Sequence, residues 1–185
     1  EGKQVFLDLK IHDIPNTASQ AVRALTGLGA DLMTLHGSGG SAMLKAAAVA
    51  AADEARRLSV IRPKLLAVTV LTSIDADEWK KLGHTNSISQ SVLTMAGAAK
   101  AAGMDGTVSS PHEAAEIRRL NGPDFLIVTP GIRPSFAQSD DQKRITTPKE
   151  AVQNGATHLV VGRPITKAAD PQEAARAIAE EIREV

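Results

Sequence analysis

Apolar residues along the chain alternate between short continuous runs and longer stretches with helical spacing. The short runs are typical of buried parallel strands, which we predict at six places: Val5 to Leu9, Asp31 to His36, Leu65 to Leu71, Gly106 to Val108, Phe125 to Thr129 and His158 to Val161. The helical stretches follow them, beginning with Thr17 to Leu28 and Ser41 to Leu58. This alternation predicts an α/β fold in which helices cover a parallel sheet.

Further helices are predicted near Asp75 and from about Ser87 to Ala102. Three later ones share a start signal, in which a capping residue precedes Pro and Glu follows two residues later. They begin at Ser110-Pro111, Thr147-Pro148 and Asp170-Pro171. The capping side chain accepts a hydrogen bond from a free N–H group of the first turn, and Pro at the first helical position fixes φ near the helical value. The sequence therefore predicts a helix at each start.

The number of strand-helix units is smaller than a closed barrel needs. A (β/α)8 barrel has eight units in about 250 residues, or roughly 30 per unit. The 185 residues therefore hold about six units. An open six-strand sheet would expose two apolar edges, which proteins normally avoid. We therefore expect residues 1–185 to form one barrel domain that lacks about two units, either because the chain is a fragment or because a further segment belongs to the natural protein.

Composition narrows the function classes. The 21 basic and 21 acidic side chains balance, and the chain has one Trp, three Phe and no Tyr, so we expect no nucleic-acid partner. The absence of Cys excludes disulfides, thiolate metal sites and Cys nucleophiles. The longest apolar stretch, Ala46 to Ala52, is too short to cross a bilayer. A soluble cytoplasmic protein with no membrane partner is the expectation.

Charged residues cluster where the first predicted strand ends. Strand alternation puts Asp8 and Lys10 on one face, and Asp13 follows in the loop. Proteins of the α/β class bind their ligands at this end of the sheet. Taken alone, the three charges favour a structural ion pair that caps the strand over a binding site.

Two later strand ends carry a candidate phosphate site. About 17 residues separate Gly131 from Thr147, and connections this long are often lids or binding loops, although an ordinary exposed connection is the alternative. The last strand ends in Gly162-Arg163. Barrels often bind phosphate after their last two strands, where an Arg supplies a planar donor fork and a Gly lets the backbone approach.

Several motifs together resemble the bacterial orotidine 5'-monophosphate decarboxylase family, whose enzymes make UMP in pyrimidine biosynthesis. They are Asp8-Leu9-Lys10-Ile11-His12-Asp13-Ile14-Pro15-Asn16-Thr17, Val68-Thr69-Val70-Leu71-Thr72-Ser73, Thr129-Pro130-Gly131-Ile132-Arg133-Pro134, Asp141-Gln142-Lys143-Arg144-Ile145 and Val161-Gly162-Arg163-Pro164-Ile165-Thr166. The resemblance implies a TIM-type (β/α)8 barrel, of which this chain looks like units three to eight. The Asp and Lys that the family carries on its first two strands have no match here.

The resemblance also implies the chemistry. Lys10 stabilises and protonates a carbanion at C6 of the nucleotide, and flanking Asp8 and Asp13 favour its ammonium form. Asp13 reaches the site of the other subunit, which implies a homodimer with shared active sites. The resemblance implies neither a cofactor nor a metal. His12 and His36 also lie at strand ends, but no suitably spaced carboxylate joins them to suggest a metal site.

Substrate-binding residues are implied in the same way. Gln142 and Arg163 hold the phosphate, Arg133 lies in the same loop network, and Thr72 bonds the pyrimidine edge. The segment from 135 to 147 closes over the nucleotide. Ile14, Pro130 and Gly162 complete the implied set.

Two other functions stay open at this point. Related sugar-phosphate decarboxylases and synthases share the Asp-x-Lys-x-x-Asp skeleton of Asp8, Lys10 and Asp13, and dependence on Mg²⁺ would point to them. A non-catalytic nucleotide-binding protein would bind UMP without releasing CO2.

Overall fold

The structure is a computed structural model that describes residues 2–134 and 146–183. Its strands are β1 (Phe6–Ile11), β2 (Leu32–His36), β3 (Lys64–Val68), β4 (Gly106–Val108), β5 (Leu126–Thr129) and β6 (His158–Leu159). Its helices are α1 (Pro15–Thr26), α2 (Gly40–Leu58), α3 (Ala76–Lys81), α4 (Ile88–Ala101), α5 (Ala114–Asn121), α6 (Pro148–Gln153), α7 (Arg163–Thr166) and α8 (Pro171–Arg183). Strands and helices alternate as predicted, which confirms the α/β class.

The chain divides into two compact units. The first comprises Glu1–Thr69 and Leu93–Val108, and the second comprises Val70–Val92 and Ser109–Val185. In the first unit β1 pairs with β2, β2 with β3 and β3 with β4, always in parallel. In the second unit β5 and β6 are parallel. The single barrel domain of eight units stays a prediction.

The core of the first unit lies between its strands and two helices. Met33 and Leu35 from β2 and Leu65 from β3 are almost completely buried, and they belong to one cluster with Met43 and Leu44 of α2. Burying a side chain of this size stabilises the fold by about 1.5–3 kcal/mol. Alternate residues of β2 point the other way, which leaves Thr34 and His36 on the opposite face of the strand.

The second unit is held partly by one arginine. The Arg118 guanidinium donates to the carbonyls of Gly122, Pro123 and Phe125 at 2.7–2.8 Å, and to that of Gly155 at 2.9 Å. These charge-assisted bonds satisfy backbone carbonyls of the loop that leads from α5 into β5, and one carbonyl of the turn after α6.

Two of the three predicted helix starts are confirmed and one is wrong. Thr147 and Glu150 form a capping box at α6, and the Asp170 carboxylate caps α8 by accepting two backbone N–H groups. The third helix begins at Ala114 rather than beside Ser110. Ser110 instead accepts the Glu113 N–H at its carbonyl, which makes residues 110–113 a separate turn before α5.

Other element ends shift by a few residues. The third strand stops at Val68, where the Thr69 N–H makes the last ladder bond to the paired strand, to the Val108 carbonyl at 3.0 Å. Within the parts of the chain that the structure describes, no helix combines the length and apolar content needed to span a bilayer.

Candidate active site

The backbone of β1 is irregular where its charged residues lie. Phe6 pairs with Leu32 and Leu7 with Met33, but the next pair joins Ile11 to Leu35. Residues 8–10 of β1 therefore lie opposite the single residue Thr34 of β2, so β1 bulges between Leu7 and Ile11. Within the bulge Lys10 has φ 53°, a left-handed conformation that non-glycine residues rarely adopt. A bulge of this kind re-aims the side chains that it carries, and it is common beside active sites.

Asp8 and Lys10 form an ion pair in this bulge. Lys10 Nζ lies 2.5 Å from Asp8 Oδ2, and the two side chains are 38% and 44% exposed. The other carboxylate oxygen, Oδ1, accepts a 2.8 Å bond from the Thr34 hydroxyl of β2. The predicted pair is therefore brought together, with a third residue that the sequence analysis did not single out. Thr34 interrupts the apolar residues 32–35 of β2, and that was the signal for it.

Asp13 is turned to its own backbone. Its Oδ1 accepts the Ile14 N–H at 2.7 Å, just before α1 begins. Among the described residues no ion pair joins it to Lys10, whose partner there is Asp8. Both Asp13 and Ile14 are exposed, and Ile14 is 66% accessible. They are open to a substrate or another chain but take no part in the Asp8–Lys10 pair.

Two histidines lie beside the pair. The rings of His12 and His36 are 5.3 Å apart between centroids. Burial lowers the pKa of His36 from its ordinary 6.5, the charges of His12 and Lys10 lower it further, and Asp8 opposes them. Over residues 2–134 and 146–183, no cluster of three or more His, Cys, Asp or Glu side chains is arranged to hold a metal ion.

The second unit contains the predicted binding residues that follow β3 and β5. Thr72 is half-buried in the turn that the Ile74 N–H closes on the Leu71 carbonyl at 3.1 Å. After β5, Pro130 is half-buried and Gly131 turns the chain with φ 80°. Because that φ favours glycine, the turn explains why Gly occupies this position.

Arg133 lies at the base of the long connection. Its side chain is 7% exposed, and its Nη1 donates to the Ile132 carbonyl at 3.1 Å. Its backbone N–H donates to the Thr146 carbonyl at 3.0 Å, and Ile132 and Thr146 form an isolated parallel bridge. The two ends of the connection are thus fastened together. Gln142 lies outside the described residues.

Gly162 and Arg163 begin the short helix α7 after β6. The Gly162 carbonyl accepts the N–H groups of Ile165 and Thr166 at 2.9 and 3.0 Å. A Cβ at position 162 would meet no heavy atom of residues 2–134 and 146–183 within 4 Å, so the space beside this backbone is open among the described residues. Arg163 is half-buried at the first position of the helix. An open backbone beside a guanidinium suits an anionic group.

Parallel strands that alternate with helices and carry charged side chains after their carboxyl ends are typical of α/β enzymes, including those with a TIM-type fold. The chain belongs to the orotidine 5'-phosphate decarboxylase / HUMPS family, whose model matches residues 1–178. The resemblance found in the motifs is therefore confirmed.

Individual relatives agree with the family assignment. The orotidine 5'-phosphate decarboxylase of Moorella thermoacetica is 50% identical over 182 residues, which are 98% of this chain and 72% of that protein. The one from Trichlorobacter lovleyi is 54% identical over 179 residues, covering 97% of this chain and 73% of its own. A crystal structure of the enzyme from Lactobacillus acidophilus superposes with a TM-score of 0.85 at 42% identity, covering 98% of this chain and 76% of that one. The chain thus spans about three quarters of these relatives.

Proposed function

We propose that this chain is a carboxy-lyase that converts orotidine 5'-monophosphate to UMP. The family and the names of its relatives support this reaction. The observation that carries the proposal is the Asp8–Lys10 pair, 2.5 Å apart in a bulge at the end of β1 and part of the motif that resembles the family.

The chemistry requires a cation at the reacting carbon. When the bond from C6 to the carboxylate breaks, CO2 leaves and the electron pair stays on C6. The pyrimidine ring delocalises that pair poorly, so a fixed positive charge beside C6 lowers the barrier. Lys10 supplies this charge and then donates a proton from Nζ to C6, after which solvent reprotonates the amine. No step requires a metal or an organic cofactor.

The two aspartates take different roles in the proposal. Asp8 holds the Lys10 ammonium by direct contact. Asp13 serves the active site of a second subunit, as the family resemblance implies, which makes the enzyme a homodimer. Sedimentation of the purified chain tests the dimer. The cytoplasmic location stays a prediction that cell fractionation would test.

Substrate binding is assigned to the second group of residues. Arg163 and Gln142 hold the phosphate, with Arg133 in the same loop network and Gly162 leaving room for the anion. Thr72 bonds the pyrimidine edge. Ile14 and Pro130 complete the set. Phosphate binding far from C6 supplies energy that can drive loop closure and so lower the barrier.

The deciding experiment follows orotidylate absorbance and CO2 release with the chain and with Lys10→Ala. We expect turnover that the variant reduces roughly 10⁴-fold, since it loses both charge stabilisation and the proton donor. Lys45→Ala is the matched control, because Lys45 is an exposed residue of α2, and it should keep full activity. Turnover of a ketose phosphate that depends on Mg²⁺ would move the assignment to the sugar-phosphate enzymes. Tight UMP binding without CO2 release would indicate a binding protein.

Phosphate recognition has its own test in Arg163→Ala. Losing the guanidinium should lower kcat/KM for orotidylate by roughly 10–100-fold, since a hydrogen bond to a charged group contributes about 1.5–3 kcal/mol. Arg119→Ala is the control, because Arg119 is exposed and pairs with Glu116 on the surface of α5. Equal effects of the two changes would contradict the assignment of Arg163.

A further inference from the structure

Thr34 is a polar residue in the most buried strand of the first unit. Its side chain is completely inaccessible, and its register partner on β3 is the buried Leu66. A hydroxyl in such a place destabilises the fold unless it is hydrogen-bonded. The hydrogen-bond partners of the Thr34 hydroxyl therefore indicate its role.

Both bonds of the Thr34 hydroxyl go to the catalytic pair. Its single proton is donated to Asp8 Oδ1 at 2.8 Å. Its oxygen accepts the backbone N–H of Lys10 at 2.9 Å. A hydroxyl has one proton and two lone pairs, so these two bonds use its only donor and one acceptor site.

The bond to the Lys10 backbone stabilises an unusual conformation. Lys10 has φ 53° in a bulge where β1 loses register with β2. A bulged residue leaves the strand ladder, so its N–H needs another acceptor. The Thr34 hydroxyl is that acceptor, and it holds the backbone from which the Lys10 side chain projects.

These contacts close a ring. Lys10 Nζ contacts Asp8 Oδ2, Asp8 Oδ1 contacts the Thr34 hydroxyl, and that hydroxyl returns to the Lys10 backbone. We propose that Thr34 is a positioning residue for this reaction, which fixes the Asp8 carboxylate and the Lys10 main chain together so that Nζ is aimed before substrate binds. The inference rests on the proposed function and assigns a new residue to it.

Removing the hydroxyl while keeping the volume tests this role. In Thr34→Val we expect kcat for orotidylate to fall about 10–100-fold, since small misplacements of a reacting group have effects of this size. KM should stay close to the wild-type value, because Thr34 has no accessible surface through which to contact substrate. Thr34→Ser restores the hydroxyl and should restore kcat to within a few-fold.

Thr107→Val is the matched control. Thr107 is also completely buried, on β4 of the same unit, and its hydroxyl has no hydrogen-bond partner within the described parts of the chain. The same chemical change is therefore made at the same burial, without contact to Asp8 or Lys10. Both kcat and KM should remain at wild-type values.

A second readout does not depend on activity. Amide hydrogen exchange at Lys10, followed by NMR on the intact chain, reports whether its N–H is still bonded. We expect exchange to be at least roughly tenfold faster in Thr34→Val than in wild type, and unchanged in Thr34→Ser and Thr107→Val.

Orotidylate turnover and Lys10 amide exchange together distinguish a failure of the positioning role from a failure of the proposed function. Wild-type kcat and wild-type Lys10 exchange in Thr34→Val would overturn the positioning role. If the wild-type chain does not turn over orotidylate, the proposed function fails, and the exchange measurement still decides whether Thr34 holds Lys10. If Thr34→Val does not fold, Thr34→Ala and Thr34→Ser give the same comparison without the added methyl.

Discussion

Two residues other than glycine have a left-handed backbone in the described parts of the chain, and they lie in contrasting places. Lys10 has φ 53° inside β1, and Ser59 has φ 54° just after α2. A left-handed residue is common at the end of a helix, where the Ser59 N–H donates to the carbonyls of Ala55 and Arg56. Inside a strand it is rare.

The left-handed backbone has a different role in each of these two regions: it supports the fold at Ser59 and holds a functional side chain at Lys10. At Ser59 the conformation satisfies carbonyls that the end of a helix would leave unpaired, so it supports the fold locally. At Lys10 it breaks the register of β1, and it persists because Thr34 supplies a hydrogen bond from the next strand. Strain that neighbouring structure must hold in place is typical of active sites. Lys10 fits that description, and Ser59 does not.

The largest effect should distinguish the two regions by activity. Lys10→Gly removes the ammonium but keeps a backbone that accepts positive φ, so it should lose roughly 10⁴-fold in kcat, as Lys10→Ala does. Ser59→Gly should keep wild-type kcat and KM, because no reacting group is altered. Orotidylate turnover measured side by side checks both. Activity in Lys10→Gly above a few per cent of wild type would mean that the side chain is not the reacting group.

The strain at Lys10 should determine which of two variants, Lys10→Gly or Lys10→Ala, has the higher free energy of unfolding. In an ordinary strand Gly is less stable than Ala by about 0.5–1 kcal/mol. A left-handed backbone costs an Ala roughly 1–2 kcal/mol that Gly avoids. Lys10→Gly should therefore be more stable than Lys10→Ala by up to about 1.5 kcal/mol, as measured by urea unfolding. The opposite order would show that the left-handed conformation does not strain the backbone.

The end of α2 should respond to the same change without any effect on function. Gly is the favoured residue at a left-handed helix end, so Ser59→Gly should raise the free energy of unfolding by roughly 0.5–1 kcal/mol. Ser59→Ala is the matched control, since it keeps a Cβ and should show no gain. A gain in both variants would point to the loss of the hydroxyl instead of the backbone.

The sequence predicted the strands and the charged pair better than their local geometry. Short apolar runs identify buried parallel strands because helices cover both faces of such a sheet, and the spacing of Asp8 and Lys10 puts both on one face. The bulge could not be predicted, because no Gly or Pro marks residues 7–11 and a left-handed Lys has no sequence signal. Thr34 was missed for a related reason, since its role depends on contacts across strands.

Helix starts show the same limit. The signal at Thr147 predicted a capping box that is present, whereas the similar signal at Ser110 produced a turn and the helix began four residues later. Both segments have the residues that start a helix. They differ in their surroundings, because Ser110 is completely inaccessible in a buried segment. The binding residues of the second unit came from family resemblance, and Gln142 lies outside the described residues.

The smallest expected effect is on the pH dependence of the free energy of unfolding, which should differ between the surroundings of Lys10 and the end of α2. The pKa of His36 is lowered from 6.5 by burial and by the nearby charges of His12 and Lys10, against the opposing charge of Asp8. Between the lowered value and 6.5 the unfolded chain binds more protons than the native chain, so the free energy of unfolding falls as pH drops through this window. His36→Gln cannot titrate, and it should lose less stability than wild type on acidification, with a difference in slope below about 1.4 kcal/mol per pH unit.

Urea unfolding from pH 7.5 down to about 5 measures this slope, since the ordinary histidine pKa lies within that range. Ser59→Gly is the control, because it changes no titratable group and its stability difference from wild type should be the same at every pH. A His36→Gln difference that is equally constant would mean that neither burial nor the nearby charges lower the pKa of His36 in the folded chain. A difference that grows on acidification would instead show that burial, together with the charges of His12 and Lys10, disfavours the protonated form of His36, an effect with no counterpart at the end of α2.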